Sequence, residues 1–495
     1  MAAMLENLKF FGPETALVGL LMVLFLTDAF LPVIRGKVWQ MILVVAFCVA
    51  GAILTCNVAN DVKPFFSNLA ANDGFTQFFR YLFLFACAAS AYIAHGSREL
   101  PTKGRSEFYL LLVCTTIGMS LMAISSNLLL LYIGIETVSI VSFVMAGFSR
   151  DDMKSNEASF KYLVFGALAS GLMIYGFSLL YGITGSLNYA DISKSLAANT
   201  NGQPFITVLA FLLVYGGLAY KISSFPMHFW TPDVYEGSPV PVATFFSVGP
   251  KAAGFAAIMR LFYTAFSAKT GTGAEIAFTP IAGIPIVQLL VFISAATMLI
   301  GNLSALGQES VKRILAYSSI AHVGYLLMGL LTLNAAGMSA ILFYLAVYCI
   351  MNLGAFWVVG IVTDIRGNDN LHSFKGIGWK MPVLGSCMAI FLFSLTGIPL
   401  FSGFIGKFLL FGAVVQSGNY LWLALLGVLN SVVSLYYYAK ILKSMWLDAP
   451  SGALEEGLSL YHGVGLVALA APTIILGLFF TPILNFVAKT LTLFS

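Results

Sequence analysis

Lys221, Pro226 and His228 stand together in the run Lys221-Ile-Ser-Ser-Phe-Pro-Met-His-Phe-Trp-Thr-Pro-Asp-Val-Tyr-Glu-Gly-Ser-Pro, directly after a long apolar stretch. Lys251 follows Gly249-Pro250 in the next apolar stretch, and Lys407 ends Thr396-Gly-Ile-Pro-Leu-Phe-Ser-Gly-Phe-Ile-Gly-Lys, which contains Pro399. An amine in lipid costs roughly 2.5–3.5 kcal/mol on insertion scales. A proline removes a backbone hydrogen bond and frees a carbonyl. Two such costs side by side point to an ion path. Glu136, within Leu131-Tyr-Ile-Gly-Ile-Glu-Thr-Val-Ser, supplies a carboxylate in another apolar run. Burial disfavours a charged amine and a nearby carboxylate favours it, so a lysine whose carboxylate neighbour approaches and withdraws can bind and release a proton. The bland reading, a lysine that snorkels to an interface, suits one lysine near a helix end better than three. For Glu136 the bland reading is an ion pair locking two helices. His228 and His322, the latter in Ser318-Ser-Ile-Ala-His-Val-Gly-Tyr, carry imidazoles that titrate near neutral pH and suit a proton relay. Ser318, Ser319, Tyr317 and Tyr325 offer hydroxyls beside them.

These groups must be positioned by membrane helices. The chain has 495 residues, of which 59% are hydrophobic and only 9% charged, with a mean hydropathy of +0.92. A soluble domain carries about 25% charged residues, so the deficit selects a polytopic membrane protein. At about 20 apolar residues per span, the sequence marks fourteen spans: 14–32, 38–56, 77–95, 107–124, 127–148, 157–182, 204–230, 239–265, 284–302, 311–332, 338–362, 381–416, 420–443 and 461–487. Two of these, 204–230 and 381–416, are long and interrupted by proline. Met1-Ala-Ala-Met-Leu-Glu lacks the basic start of a cleaved signal. The six cysteines show no CxxC spacing and read as small core residues rather than iron–sulfur or zinc ligands. No glycine-rich phosphate loop is present.

With the N-terminus placed outside, inner loops would hold fourteen basic residues (Arg35, Lys37, Arg98, Lys103, Arg105, Arg150, Lys154, Lys312, Arg313, Arg366, Lys375, Lys380, Lys440, Lys443) and outer segments five (Lys9, Lys63, Lys194, Lys269, Lys489). The positive-inside rule then puts both termini on the outer face. Arg80, Lys161 and Arg260 also fall in or at the edge of spans, and Arg260 reads as an interfacial anchor. Residues 1–105 read as a three-helix packing module with Asp28 its main internal charge. A weak internal repeat follows: Asn156-Glu157-Ala-Ser-Phe-Lys161-Tyr-Leu and Gln308-Glu309-Ser-Val-Lys-Arg313-Ile-Leu each place an acid four residues before a base at an inner helix start. Units 106–265 and 266–445 would then be inverted five-helix repeats, since an odd number of spans reverses consecutive copies. Residues 446–495 would form the C-terminal helix.

The motifs around Glu136, Glu157 and Lys161, Lys221 to Pro239, and Lys312 to Tyr325 resemble the antiporter-like membrane subunits of respiratory complex I, most closely the N-type subunits. The Trp-Thr-Pro-Asp-Val-Tyr run separates that type from L- and M-type subunits and from Mrp antiporters. The resemblance covers about residues 105–445. It implies an all-α membrane fold of two inverted repeats, each with a broken helix. It also implies a glutamate–lysine pair at Glu136 and Lys221, a central lysine at Lys251, a histidine at His322 and a terminal lysine at Lys407, with Glu157, Lys161, His228, Pro226 and Pro399 in support. It further implies a proton-moving subunit of a complex I-type NAD(P)H or ferredoxin:quinone oxidoreductase that holds no cofactor or metal of its own. Flavin, iron–sulfur clusters and quinone would lie in other subunits. Expected partners are an M-type subunit on one side, K- and J-type small subunits on the other, lipid and protons, and no nucleic acid. The expected location is a bacterial inner membrane. An Mrp-type cation/proton antiporter subunit and a non-pumping scaffold are the competing readings.

Overall fold

The computed structural model describes residues 7–31, 36–58, 63–100, 102–198, 204–270, 277–281, 285–450 and 457–491. Met1–Glu6, Arg35 and the side chain of Lys103, used above for topology, lie outside what is described. Thirteen described helices are long and apolar enough to cross a membrane, or fourteen if one bent pair counts as a span. In chain order the helices are α1 Gly12–Phe30, α2 Val38–Asn57, α3 Gly74–Gly96, α4 Thr102–Ile124, α5 Leu128–Ala146, α6 Met153–Thr184, α7 Tyr189–Ala198, α8 Pro204–Ile222, α9 Trp230–Gly237 and α10 Val240–Ala265. They continue as α11 Ile286–Leu306, α12 Val311–Leu331, α13 Ala335–Arg366, α14 Ile377–Lys380, α15 Pro382–Thr396, α16 Ser402–Ser417, α17 Leu421–Trp446, α18 Leu460–Leu478 and α19 Thr481–Thr490.

Apolar runs make these segments helical, because a helix satisfies its own backbone where no water can. Short polar residues fix where they start. The side chains of Asn127, Asp152, Ser310 and Asn334 each accept a hydrogen bond from a first-turn amide of α5, α6, α12 and α13. Two antiparallel hairpins, Lys63–Phe65 with Ala70–Asn72 and Ser267–Thr270 with Ala277–Pro280, close the loops at one end of the bundle.

The bundle has an inner column and an outer ring. α10 is buried along its whole length except Thr264, and α12 and α13 are nearly as enclosed. Helices α1, α2, α5, α6 and α17 present rows of exposed Leu, Val, Ile and Phe, as a lipid-facing surface requires. Chemistry-bearing residues therefore sit in the column and at its contacts with the ring.

Both expected breaks are present, but they differ. The first follows a full-length helix: α8 ends at Ile222, residues 223–229 form turns with a cis Phe225–Pro226 bond, and the eight-residue α9 follows. The second divides a span. α15 and α16, of 15 and 16 residues, are each shorter than the roughly 20 residues a crossing needs. Gly397 and Leu400 between them have φ of 90° and 82°. The expected C-terminal span 461–487 is instead two helices, α18, which runs through Pro472, and α19, which has Pro482 in its first turn, separated at Phe479 and Phe480.

Buried charges other than Asp28 brace the N-terminal helices. Arg80 on α3 and Glu14 on α1, 1% and 0% exposed, form a bidentate pair at 2.8 Å, and Arg80 also reaches Asn72 and the carbonyl of Phe10. Ser120 on α4 donates to the same carboxylate. Arg260 is likewise no interfacial anchor. It is 3% exposed and grips Asp73 at 2.8 and 3.0 Å, Thr76 at 2.8 Å and the carbonyl of Ala123 at 2.8 Å. A partner carboxylate more than 180 residues away in sequence left no local signal of this brace.

Candidate functional site

Lys251 sits mid-way along α10, where no side chain can reach water, and is 3% exposed. Its Nζ donates to Ser319 Oγ on α12 at 2.5 Å and lies 5.2 Å from the ring centre of Tyr235 on α9. Lys251, Ser319, His322 and Tyr348 line a buried cavity of about 10 Å³. That is about the room one water molecule needs. Across it His322, 2% exposed, shares a 2.5 Å hydrogen bond through Nδ1 with Tyr344 on α13 and a 3.3 Å bond through Nε2 with Tyr438 on α17. Tyr438 also bonds Ser318.

From His322 the polar groups continue to Lys407, also 3% exposed. The Tyr325 ring lies 5.6 Å from the His322 ring and 4.8 Å from Lys407 Nζ. Lys407 Nζ donates to Ser431 Oγ at 3.1 Å and to the carbonyl of Thr396 at 2.9 Å. That carbonyl belongs to the last residue of α15, where the helix break leaves acceptors without an intrahelical partner. Here the break is chemically useful, because it gives the amine a ligand that carries no charge. Gly406 lets Tyr344 lie against α16, and a methyl group there would meet the Tyr344 ring at 2.3 Å. Asn302 bonds Tyr325, Asn430 and Tyr437 behind this chain.

Glu136 and Lys221 are less connected. Glu136 is half-buried on α5 and accepts from Ser170 of α6 at 2.5 Å. Lys221, 3% exposed, has no hydrogen-bond partner for its Nζ among the described residues, and no ion pair joins it to Glu136. The expected glutamate–lysine pair is therefore not in direct contact. Among the described residues His228 bonds no lysine and its buried Nδ1 has no partner; its ring lies beside Phe225 and Phe229. Pro226 and Pro399 mark the two breaks and are exposed. Glu157 bonds Lys161 at 2.8 Å on the surface of α6, and Lys161 also bonds Asp233 at 2.7 Å. Lys312, counted among loop cations, is 7% exposed and donates to the carbonyl of Ser238.

Tyr344, Tyr438, Ser431, Ser170 and Asn302 were not legible as site residues. One signal was available: Tyr344, Tyr348 and Asn352 recur every four residues, which puts them on one face of α13. Both amide atoms of Asn352, 1% exposed, lack a partner among the described residues. All six cysteines are free, and no group of three or more His, Cys, Asp or Glu able to hold a metal occurs among the described residues. The arrangement can pass protons between amines, hydroxyls and an imidazole.

A family profile for the transmembrane region of the NADH:quinone oxidoreductase/Mrp antiporter family matches residues 125–434. The NADH-quinone oxidoreductase subunit N 2 of Sorangium cellulosum is 41% identical, with 98% of each chain covered. The subunit N of Chlorobium chlorochromatii is 40% identical over 100% of this chain and 97% of its own. Among solved structures, a chain of respiratory complex I from Thermus thermophilus superposes with a TM-score of 0.79 at 29% identity, covering 97% of this chain and all of that one. A chain of the Mrp complex from Dietzia gives 0.84 at 21% identity, covering 98% and 97%, a likeness of fold.

Proposed function

Since this chain belongs to the NADH:quinone oxidoreductase/Mrp antiporter family, and within it to subunit N of the NADH-quinone oxidoreductases, we propose that its own buried side chains carry the protons that partner subunits drive. The route runs from Lys221 to Lys251, through Ser319, His322, Tyr344 and Tyr438, to Lys407. Redox chemistry reaches it as a change in the distance between Glu136 and Lys221, with flavin, iron–sulfur clusters and quinone held by other subunits. An M-type subunit packs on one side and K- and J-type small subunits on the other, in a bacterial inner membrane with both termini outside. The charge balance of fourteen loop cations against five supports that orientation.

One observation carries the reading. Lys221, Lys251 and Lys407 are each 3% exposed, and among the described residues no carboxylate lies within ion-pair distance of any of them. A scaffold that used charge to lock helices would pair each buried amine with an acid, because an unpaired buried charge costs several kcal/mol. Lys251 and Lys407, ligated only by hydroxyls and a carbonyl, and Lys221, with no partner among the described residues, tolerate both protonation states. Full-length identity near 40% to subunit N chains, against 21% to an Mrp chain, favours the oxidoreductase over the antiporter.

The test is proton translocation per electron in membrane vesicles carrying Lys221→Ala, with assembly checked on a native gel. Protons moved per electron should fall in assembled complex, with quinone reduction slowed. An unchanged ratio would make Lys221 structural and leave Lys251 and Lys407 to account for transport.

A further inference from the structure

Asp233 lies in the Trp-Thr-Pro-Asp-Val-Tyr run on α9, outside the buried lysine chain. Lys161 Nζ reaches its Oδ2 at 2.7 Å and Arg313 Nη1 its Oδ1 at 2.8 Å. These are the two bases that occupy the same place in the two similar sequence segments, four residues after Glu157 and Glu309. Lys161 is on α6 and Arg313 on α12, so one carboxylate is held from both halves of the chain. Arg313 also bonds Glu236 at 2.9 Å and Gln308 at 3.0 Å, Lys154 approaches Glu236 at 3.4 Å, and Glu157 completes the group beside Lys161.

Two aromatic side chains of α9 lie next to the first two lysines, one against the residue before Lys221 and one against Lys251 itself. Trp230 Nε1 donates to the carbonyl of Tyr220 at 3.0 Å, the residue before Lys221, and its ring stacks on Tyr162 at 4.4 Å. Tyr235 places its ring 5.2 Å from Lys251 Nζ. A helix of eight residues has two turns and moves as one body, so whatever fixes its polar face also fixes these two contacts.

We propose that Asp233 is a positioning residue: held by Lys161 and Arg313, it latches α9 so that Trp230 and Tyr235 set the spacing of Lys221 and Lys251. This rests on the proton route proposed above. A shift of α6 against α12 loosens one of the two grips, and α9 then follows the other. Relative motion of the two halves is thereby transmitted to the pair of lysines between which the first proton step occurs. Nothing in this step makes or breaks a bond other than hydrogen bonds.

The experiment compares Asp233→Asn and Asp233→Glu in the whole complex, in sealed vesicles, reading protons moved per electron and the pH profile of that ratio. Two half-exposed charge pairs are weak individually, so the expected fall in coupled proton movement is roughly three- to tenfold in Asp233→Asn. Asp233→Glu restores most of it, and the quinone KM stays where it was while the coupled rate changes. A wild-type ratio and pH profile in assembled Asp233→Asn overturns the latch. If that variant does not assemble, Lys161→Gln and Arg313→Gln decide, since each leaves Asp233 one partner; unchanged coupling in both overturns it equally. Lys221→Ala run beside them separates the two claims. Loss of pumping there with none in the Asp233 variants removes the latch alone, and no loss in Lys221→Ala removes the route itself.

Discussion

Arg260→Met should loosen the first three helices from the rest of the bundle. In the native chain the guanidinium makes four hydrogen bonds, two of them to Asp73, and its carbon lies 5.1 Å from the centre of the Phe75 ring. Removing one member of a buried ion pair costs about 3–5 kcal/mol, because the survivor is left charged in an apolar place. Asp73 is not wholly abandoned, since its Oδ1 still accepts from the amide of Thr76 at 2.8 Å. The lower end of that range, about 3 kcal/mol, therefore applies. It corresponds to a shift of more than about a hundredfold between docked and undocked states. Arg260→Met with Asp73→Ser removes both charges and keeps a side chain able to cap α3. It should regain all but about 1 kcal/mol, as replacing both members of a buried pair is often close to neutral. The assay is heat challenge of the isolated complex followed by a native gel, with proteolysis in the Lys63–Asn72 hairpin as a local readout. Equal loss in the single and the double variant would refute the reasoning, since it would mean that shape and not an orphaned charge sets the cost.

Asn352→Leu should raise thermal stability, because two unpaired buried amide atoms are costly, and should slow coupled proton transfer if the 344/348/352 face conducts; unchanged pumping at raised stability would make Asn352 inert. Gly406→Ala should push Tyr344 off α16 and cut pumping with the complex still assembled, read as protons per electron; normal pumping would remove Tyr344 from the route. Burial raises the Asp233 carboxyl, but Lys161 and Arg313 outweigh it and hold the group below its ordinary value of 3.8. A depressed folded value means the carboxylate stabilises the fold above about the ordinary value, and that this is lost as pH falls further through the folded value. Melting of the native complex should therefore steepen below about pH 4, and Asp233→Asn should flatten that limb; identical acid limbs would count against the grip.

The membrane class, the spans and the three lysines were readable because each breaks a strong rule. Apolar runs of span length admit few readings, and a lysine or proline inside one is conspicuous. His322, Ser319 and Tyr325 were legible by proximity in sequence to one another. Tyr344 and Tyr438 were not, because a tyrosine in an apolar helix is unremarkable until its hydroxyl partner on another helix is known. His228 drew notice by its nearness in sequence to Pro226, and only the fold shows its ring beside Phe225 and Phe229. Arg260 and Arg80 show the same limit from the other side. Their partners Asp73 and Glu14 are distant in sequence, so only the fold reveals that these charges are neutralised.

α10 has almost no surface left for lipid. During synthesis such a segment meets the translocon with Lys251 and Arg260 already aboard, together worth roughly 5–7 kcal/mol against partitioning. It is a poor candidate to insert alone. Its acceptance into the bilayer must lean on α3, α4 and α8, which emerge from the ribosome earlier and pack against it. The carboxylate that neutralises Arg260 is among those earlier arrivals, at Asp73. Deleting the N-terminal helices would then be felt first in biogenesis, as a failure to thread the central span, before any question of transport arises.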